Sequence, residues 1–152
     1  MLITYKKISN SFYSKIIWKI NNDVTSRMYS KNTAFISYAS HLKWLNQVFK
    51  KKEEFIYIAR INKKIIGVIR ERKIKNKRFL SWSLLKKFRG KGYGTGIVNE
   101  FVKKKKISFS ADVHKDNTKS IKICKKVGFK LISKKNNFLT YHIKIKKDLK
   151  GK

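Results

Sequence analysis

Apolar and polar residues alternate along parts of this chain and recur with a helical period along others, and the two periods predict strands and helices respectively. "LITYKKI" (2–8) alternates and reads as a first strand. In "SNSFYSKIIWKINN" capping residues lead into apolar positions at helical spacing, Phe12, Ile16, Ile17 and Ile20. "DVTSRMYSKNTA" reads as a polar loop. "ISYASHLKWLNQVFKK" predicts a second amphipathic helix, capped by Ser37 and burying Leu42, Leu45, Val48 and Phe49. "EFIYIARI" and "KIIGVIRERKI" are strands joined by "NKK" as a hairpin, and "KRFLSWSLL" pairs next after a "KNK" turn. A helix follows at about 94–105, then a strand (107–113), a helix (117–126), and the strands "FKLISK" and "FLTYHIKI" around "KNN". The order β-α-α-β-β-β-α-β-α-β-β predicts an α/β protein with a mixed sheet of about seven strands and about four helices. Neither a repeat nor a linker interrupts it, so 1–152 reads as one domain.

Between the fourth strand and the third helix lies "RGKGYGTG", Arg89 to Gly96. Four of the chain's seven glycines sit there, at 90, 92, 94 and 96. A strand, a glycine-rich turn and a helix N-terminus make a phosphate cradle, because unpaired amides and the positive end of the helix dipole converge. A P-loop requires Lys-Ser or Lys-Thr after the glycines, and neither pair follows. The dinucleotide fingerprint G-x-G-x-x-G cannot be aligned on G-x-G-x-G-x-G. The pattern [QR]-x-x-G-x-[GA] is satisfied by Arg89, Gly92 and Gly94.

A second pattern follows in "SADVHKDNTKSIKICKKVGF" (110–129): a strand ending in Asp112, Asn117 five positions later, a helix, then Gly128-Phe129. With both motifs in this order the chain resembles the GCN5-related N-acetyltransferase (GNAT) superfamily, well over residues 55 to 130 and more loosely in the N-terminal third. The resemblance implies the GNAT fold and transfer of an acetyl group from acetyl-CoA to a primary amine, with no metal. It implies that the pantetheine arm lies along Trp82, Ser83 and Leu84, and the pyrophosphate on Arg89, Gly90, Lys91, Gly92, Tyr93, Gly94 and Thr95. Asn117 matches the family asparagine that hydrogen-bonds the cofactor, and it is equally a helix N-cap.

Asp112 stands where relatives usually carry a glutamate facing the substrate, and a carboxylate there can accept the amine proton. His114 lies on the same strand face. Cys124 replaces the tyrosine that in many relatives protonates the departing thiolate, so it is a candidate acid or, as a buried thiol on a helix, a packing residue. Tyr141 and Tyr93 are other candidate donors. The N-terminal third resembles the GNAT subgroup that acetylates nucleotide-linked amino sugars in pathways to nonulosonic acids. The resembling pieces are Asn22-Asp23 with Arg27, Ile36-Ser37 with His41 and Trp44, and Gly67 with Arg70. That likeness implies an anionic acceptor whose phosphates meet Arg27 or Arg70, with His41 or Trp44 shaping the sugar pocket.

A net charge of +32 opens a second class of reading, a basic nucleic-acid-binding protein. The balance of 34 lysines to six arginines weighs against it, because base and phosphate recognition favours the bidentate guanidinium. Lysine accompanies abundant Ile and Asn with no proline, as codon bias in an AT-rich genome would produce. Runs such as Lys50–Lys52 and Lys103–Lys106 then read as solvated faces. The field attracts anionic ligands and repels polyamines and lysine-rich tails, so it argues poorly for the alternative enzyme reading, protein N-terminal or lysine acetylation. No apolar run is long enough to span a bilayer, the N-terminus lacks a signal peptide's apolar core, and the single Cys124 fits a reducing compartment. The expectation is a cytoplasmic monomer or homodimer.

Overall fold

Residues 2–146 are described in this computed structural model. β1 (Ile3–Lys7) leads through a 3-10 turn at Ser11–Tyr13 into α1 (Ser14–Asn21), α2 (Val24–Met28) and α3 (Tyr38–Lys51). Three strands follow, β2 (Glu54–Ile61), β3 (Lys64–Ile74) and β4 (Lys77–Leu84), then α4 (Tyr93–Lys105), β5 (Phe109–His114), α5 (Thr118–Val127), β6 (Lys130–Lys135) and β7 (Phe138–Ile143). Left-handed residues close the tight antiparallel turns: Asn62 and Lys63 at β2–β3, Lys75 at β3–β4 and Asn136 at β6–β7.

The start of the first helix departs from expectation. Asn10 accepts a hydrogen bond from Phe12 N and so caps a separate 3-10 turn, and α1 begins only at Ser14. Phe12 is therefore 81% exposed rather than buried, while Ile17 and Ile20 enter the core. The segment read as a polar loop holds a fifth helix, α2, capped by Asp23, which accepts from Thr25 N at 3.1 Å. Ser37 caps α3 as expected, accepting from Ser40 N at 3.1 Å.

The seven strands form one sheet in the order β1-β2-β3-β4-β5-β7-β6. Neighbours are antiparallel except β4 and β5, which run parallel and so need the α4 crossover. One apolar cluster fills the face under α4 and α5, built from Ile69, Leu80, Ile97, Phe101, Phe109, Ala111 and their neighbours. A second, with Ile17, Ile20, Leu45, Val48, Ile56 and Val68, seats α1 and α3 on the opposite face.

Two features of β3–β4–β5 position the site. A Cβ on Gly67 would stand 2.3 Å from the Ser83 carbonyl oxygen, so only glycine lets β4 lie this close to β3. The β4–β5 ladder is a single position, Phe79 opposite Ser110. Beyond it, toward the C-terminal ends, the two strands are unpaired, and the β4 edge from Ser81 to Leu84 faces a gap.

Candidate active site

The glycine stretch divides into two pairs with different tasks. Gly90 (φ 73°) and Gly92 (φ 83°) hold left-handed backbone, and a Cβ on either would meet nothing within 4 Å. Gly92 is the N-cap of α4 and no side chain caps that helix, so the first-turn amides of Tyr93, Gly94 and Thr95 are left for an outside acceptor. Gly94 and Gly96 are packing glycines inside α4. A Cβ on Gly94 would meet Ile123 Cδ1 at 2.7 Å, and one on Gly96 would meet Ile3 Cδ1 at 3.2 Å. Open space over bare left-handed backbone, beside unpartnered amides at a helix N-terminus, fits a pyrophosphate. Lys91 is exposed on the same turn.

Arg89 turns away from that space. Its Nε and Nη2 donate to the Leu84 carbonyl at 3.2 and 3.0 Å, and Nη2 stands 2.9 Å from Asp23 Oδ2. It thereby locks the glycine turn to the end of β4 and to the cap of α2. Trp82 packs near Phe129 on the α5 side, and its buried indole N–H has no partner. Trp82 and Ser83 also line a cavity of about 40 Å³ with Asn21, Trp44, Arg70 and Ser81. That volume suits a water molecule and not a sugar ring.

Asp112 sits on the other side of the gap. On β5, Phe109, Ala111 and Val113 face the α4–α5 core, leaving Ser110, Asp112 and His114 on the opposite face. Register with β7 sets Ser110 against His142, Asp112 against Thr140 and His114 against Phe138. Ser110 Oγ and His142 Nδ1 share a hydrogen bond of 2.9 Å, and Thr140 donates its hydroxyl to Asp112 Oδ1 at 2.6 Å. Asp112 Oδ2 meets Lys31 Nζ at 3.5 Å. Lys31, Asp112, Thr140, Phe138 and the β6–β7 turn with Lys135 line an open cleft of about 400 Å³. Thr140, His142 and Lys31 were not singled out by sequence. Only the β5–β7 register could have pointed to the first two, and nothing local marks Lys31.

The expected acceptor-binding residues are not gathered in this cleft. Arg27 is consumed by its own loop, donating to the carbonyls of Asn21 (2.6 Å), Asn32 (2.9 Å) and Ala34 (3.4 Å) and to Ser30 Oγ (3.2 Å). Arg70 pairs with Glu54 at 2.9 Å and lies 5.6 Å from the Trp44 ring centre. His41 is 1% exposed between Tyr38 and Trp44, with both ring nitrogens lacking a hydrogen-bond partner. Burial lowers its pKa, an effect partly opposed by the Ser14 backbone, and so keeps the ring neutral.

On α5, Asn117 caps the helix by accepting from Ser120 N at 3.2 Å. Cys124 is fully enclosed in the α4–α5 core, where burial pushes its thiol up to about 12. Tyr141 lies in that same core, on the face of β7 opposite Thr140, and burial raises its phenol too. Among the described residues no cluster of three or more His, Cys, Asp or Glu could hold a metal, and no helix is long and apolar enough to cross a membrane.

Comparison with solved structures shows the same fold elsewhere. N-acetyltransferase PseH of Campylobacter jejuni, in complex with acetyl coenzyme A, matches with TM-score 0.74 and 22% identity over 94% of this chain and 99% of that one. Spermidine N-acetyltransferase of Vibrio cholerae, with CoA and spermine, matches with TM-score 0.77 and 13% identity over 92% of each chain. An aminoglycoside acetyltransferase with coenzyme A matches with TM-score 0.76 and 16% identity over 93% of each. No curated protein sequence matches. The model of the acetyltransferase (GNAT) domain family matches residues 11–130, where the glycine cradle, the β4–β5 gap and Asp112 all lie, and the chain belongs to that family.

Proposed function

We propose that this acetyltransferase moves the acetyl group of acetyl-CoA to the primary amine of a small anionic acceptor, a nucleotide-linked amino sugar. The observation that carries the reading is the placement of Asp112. It lies across the unpaired β4–β5 gap from the cofactor strand, in a cleft whose other charged groups are the lysines Lys31 and Lys135. A carboxylate with two ammonium neighbours suits an acceptor that brings one amine together with phosphate oxygens. A polyamine brings only cations, which the lysines and the +32 field oppose.

Acetyl-CoA supplies a thioester-activated acyl group. The amides of Tyr93 to Thr95, with the open left-handed turn at Gly90 and Gly92, hold its pyrophosphate. The β4 edge from Trp82 to Leu84 offers backbone groups to the pantetheine arm, and Asn117, the N-cap of α5, is assigned to hydrogen-bond the same cofactor. Asp112 accepts the amine proton, held in one orientation by the Thr140 hydroxyl. Cys124 packs the core. A thiol near 12 is a poor donor toward a thiolate whose own conjugate acid lies near the ordinary ~8.5, so water supplies that proton.

Release of free CoA thiol from acetyl-CoA, screened across UDP-linked amino sugars, polyamines and peptides, tests the reading. Turnover with the UDP-linked amines supports it. Turnover confined to polyamines or peptide N-termini replaces it.

A further inference from the structure

The cleft already contains an amine beside the carboxylate. Lys31 belongs to the loop between α2 and α3, yet its place is fixed, because Arg27 ties both flanking residues. Nη2 donates to Ser30 Oγ at 3.2 Å and Nη1 to the Asn32 carbonyl at 2.9 Å. The Lys31 ammonium reaches Asp112 Oδ2 at 3.5 Å and lies 5.6 Å from the Phe138 ring centre. Its side chain is 67% exposed, so solvent screens the pair and an incoming acceptor can displace it. Arg27 thus serves the cleft indirectly, by presenting a lysine to the carboxylate.

We propose that Lys31 is a self-acetylation site, used when acetyl-CoA is bound and no acceptor amine occupies the cleft. This rests on the reading of Asp112 as the base that receives the acceptor proton. A bond forms between Lys31 Nζ and the acetyl carbonyl carbon as the carbon–sulfur bond of the thioester breaks. Of the three ammonium protons, one passes to Asp112 and on to solvent, one ends on the departing sulfur and one stays on the amide nitrogen. No electrons are exchanged with any other reagent. The product is a neutral acetamide where a cation stood, so the cleft keeps Lys135 and loses its second positive charge. Proximity to a positioned base distinguishes Lys31 from the many lysines that only meet solvent.

The test uses the full chain with acetyl-CoA and no acceptor, followed by intact mass and peptide mapping over time. Lys31 is expected to acquire acetyl about tenfold or more faster than Lys119 and Lys122, exposed lysines on α5 that serve as internal references. Asp112→Asn should bring Lys31 down to their rate, with a thermal melt confirming that the variant is folded. Heat-unfolded wild-type chain should show no preference for Lys31, a comparison that needs no variant. Acetylation of Lys31 at the reference rate in the folded wild type overturns the proposal. If Asp112→Asn abolishes turnover of an added acceptor while Lys31 never exceeds the references, self-acetylation fails and the acceptor reading survives. If Asp112→Asn leaves both acceptor turnover and Lys31 acetylation unchanged, both fail together.

Discussion

Thr140 donates its hydroxyl to Asp112 across the β5–β7 ladder at 2.6 Å, a length typical of a hydrogen bond to an ionised carboxylate. The bond fixes which carboxylate oxygen is engaged and leaves Oδ2 toward the cleft, where Lys31 meets it. Asp112→Asn is expected to lower kcat about 10²-fold or more while leaving CoA affinity close to wild type. Thr140→Val should lower kcat by about tenfold, and Thr140→Ser, which keeps the hydroxyl, should recover most of it. Wild-type turnover by Asp112→Asn at every pH from about 6 to about 9 would leave the carboxylate a structural role only.

The four glycines of the loop should separate in a binding experiment. Gly92→Val puts a branched side chain into the open space over the turn and strains a left-handed residue, so acetyl-CoA affinity should fall at least tenfold, ~1.4 kcal/mol or more. Gly94→Ala meets the far end of Ile123 instead, which can shift, so its effect should appear in thermal stability more than in CoA affinity. Calorimetric titration beside thermal melts distinguishes the two. Unchanged affinity in a folded Gly92→Val protein would remove the cradle assignment.

These two glycines show how far the sequence could be read. Their spacing marked a phosphate cradle, and α4 opens where the flanking patterns placed it. Periodicity alone could not tell left-handed loop glycines from helical glycines packed under Ile123 and Ile3, because that depends on where α5 and β1 lie. Arg27 and Arg89 illustrate the same limit. The family resemblance implied phosphate ligands, whereas loop carbonyls hold the Arg27 guanidinium and the Leu84 carbonyl and Asp23 hold that of Arg89. Phe12 misled for a local reason: the Asn10 cap starts a separate turn and breaks the helical phase. Thr140 and Lys31 join the site only through strand register and a loop path, which no short window of sequence encodes.

Gly67→Ala tests the close approach that shapes the cofactor strand. The added methyl would stand 2.3 Å from the Ser83 oxygen, a backbone atom with no rotamer to retreat into. The expected cost is about 1–3 kcal/mol of stability. CoA affinity should weaken as well, because the displaced stretch, Ser83 and Leu84, borders the gap. A melt within one degree or so of wild type would show that β3 and β4 separate without cost.

Cys124→Ala should leave turnover intact and cost about 1–2 kcal/mol through the small cavity it opens. The thiol also makes a signed pH prediction. Its folded pKa, about 12, lies above the unfolded ~8.5, so the stability it contributes is complete below ~8.5 and is lost as pH rises toward 12. The alkaline decline in stability should therefore be shallower in Cys124→Ala than in wild type, as measured by urea midpoints at successive pH values. A large loss of kcat in a well-folded Cys124→Ala protein would return the sulfur to catalysis.

His41 gives the opposite sign at the acid end. Burial between Tyr38 and Trp44 lowers its folded pKa beneath the unfolded ~6.5. The unfolded chain therefore takes up a proton first as pH falls, and the stability that the neutral ring contributes is present above ~6.5 and lost below it. No acidic side chain pairs with the ring to hold an imidazolium in place among the described residues. Urea midpoints should thus fall between about pH 7 and about pH 5 in the wild type, and His41→Phe should flatten that limb. The variant is also a functional test, because His41 is sealed from the cleft by its burial. Its acceptor KM should stay near wild type, whereas a sugar pocket built on His41 would show a raised KM.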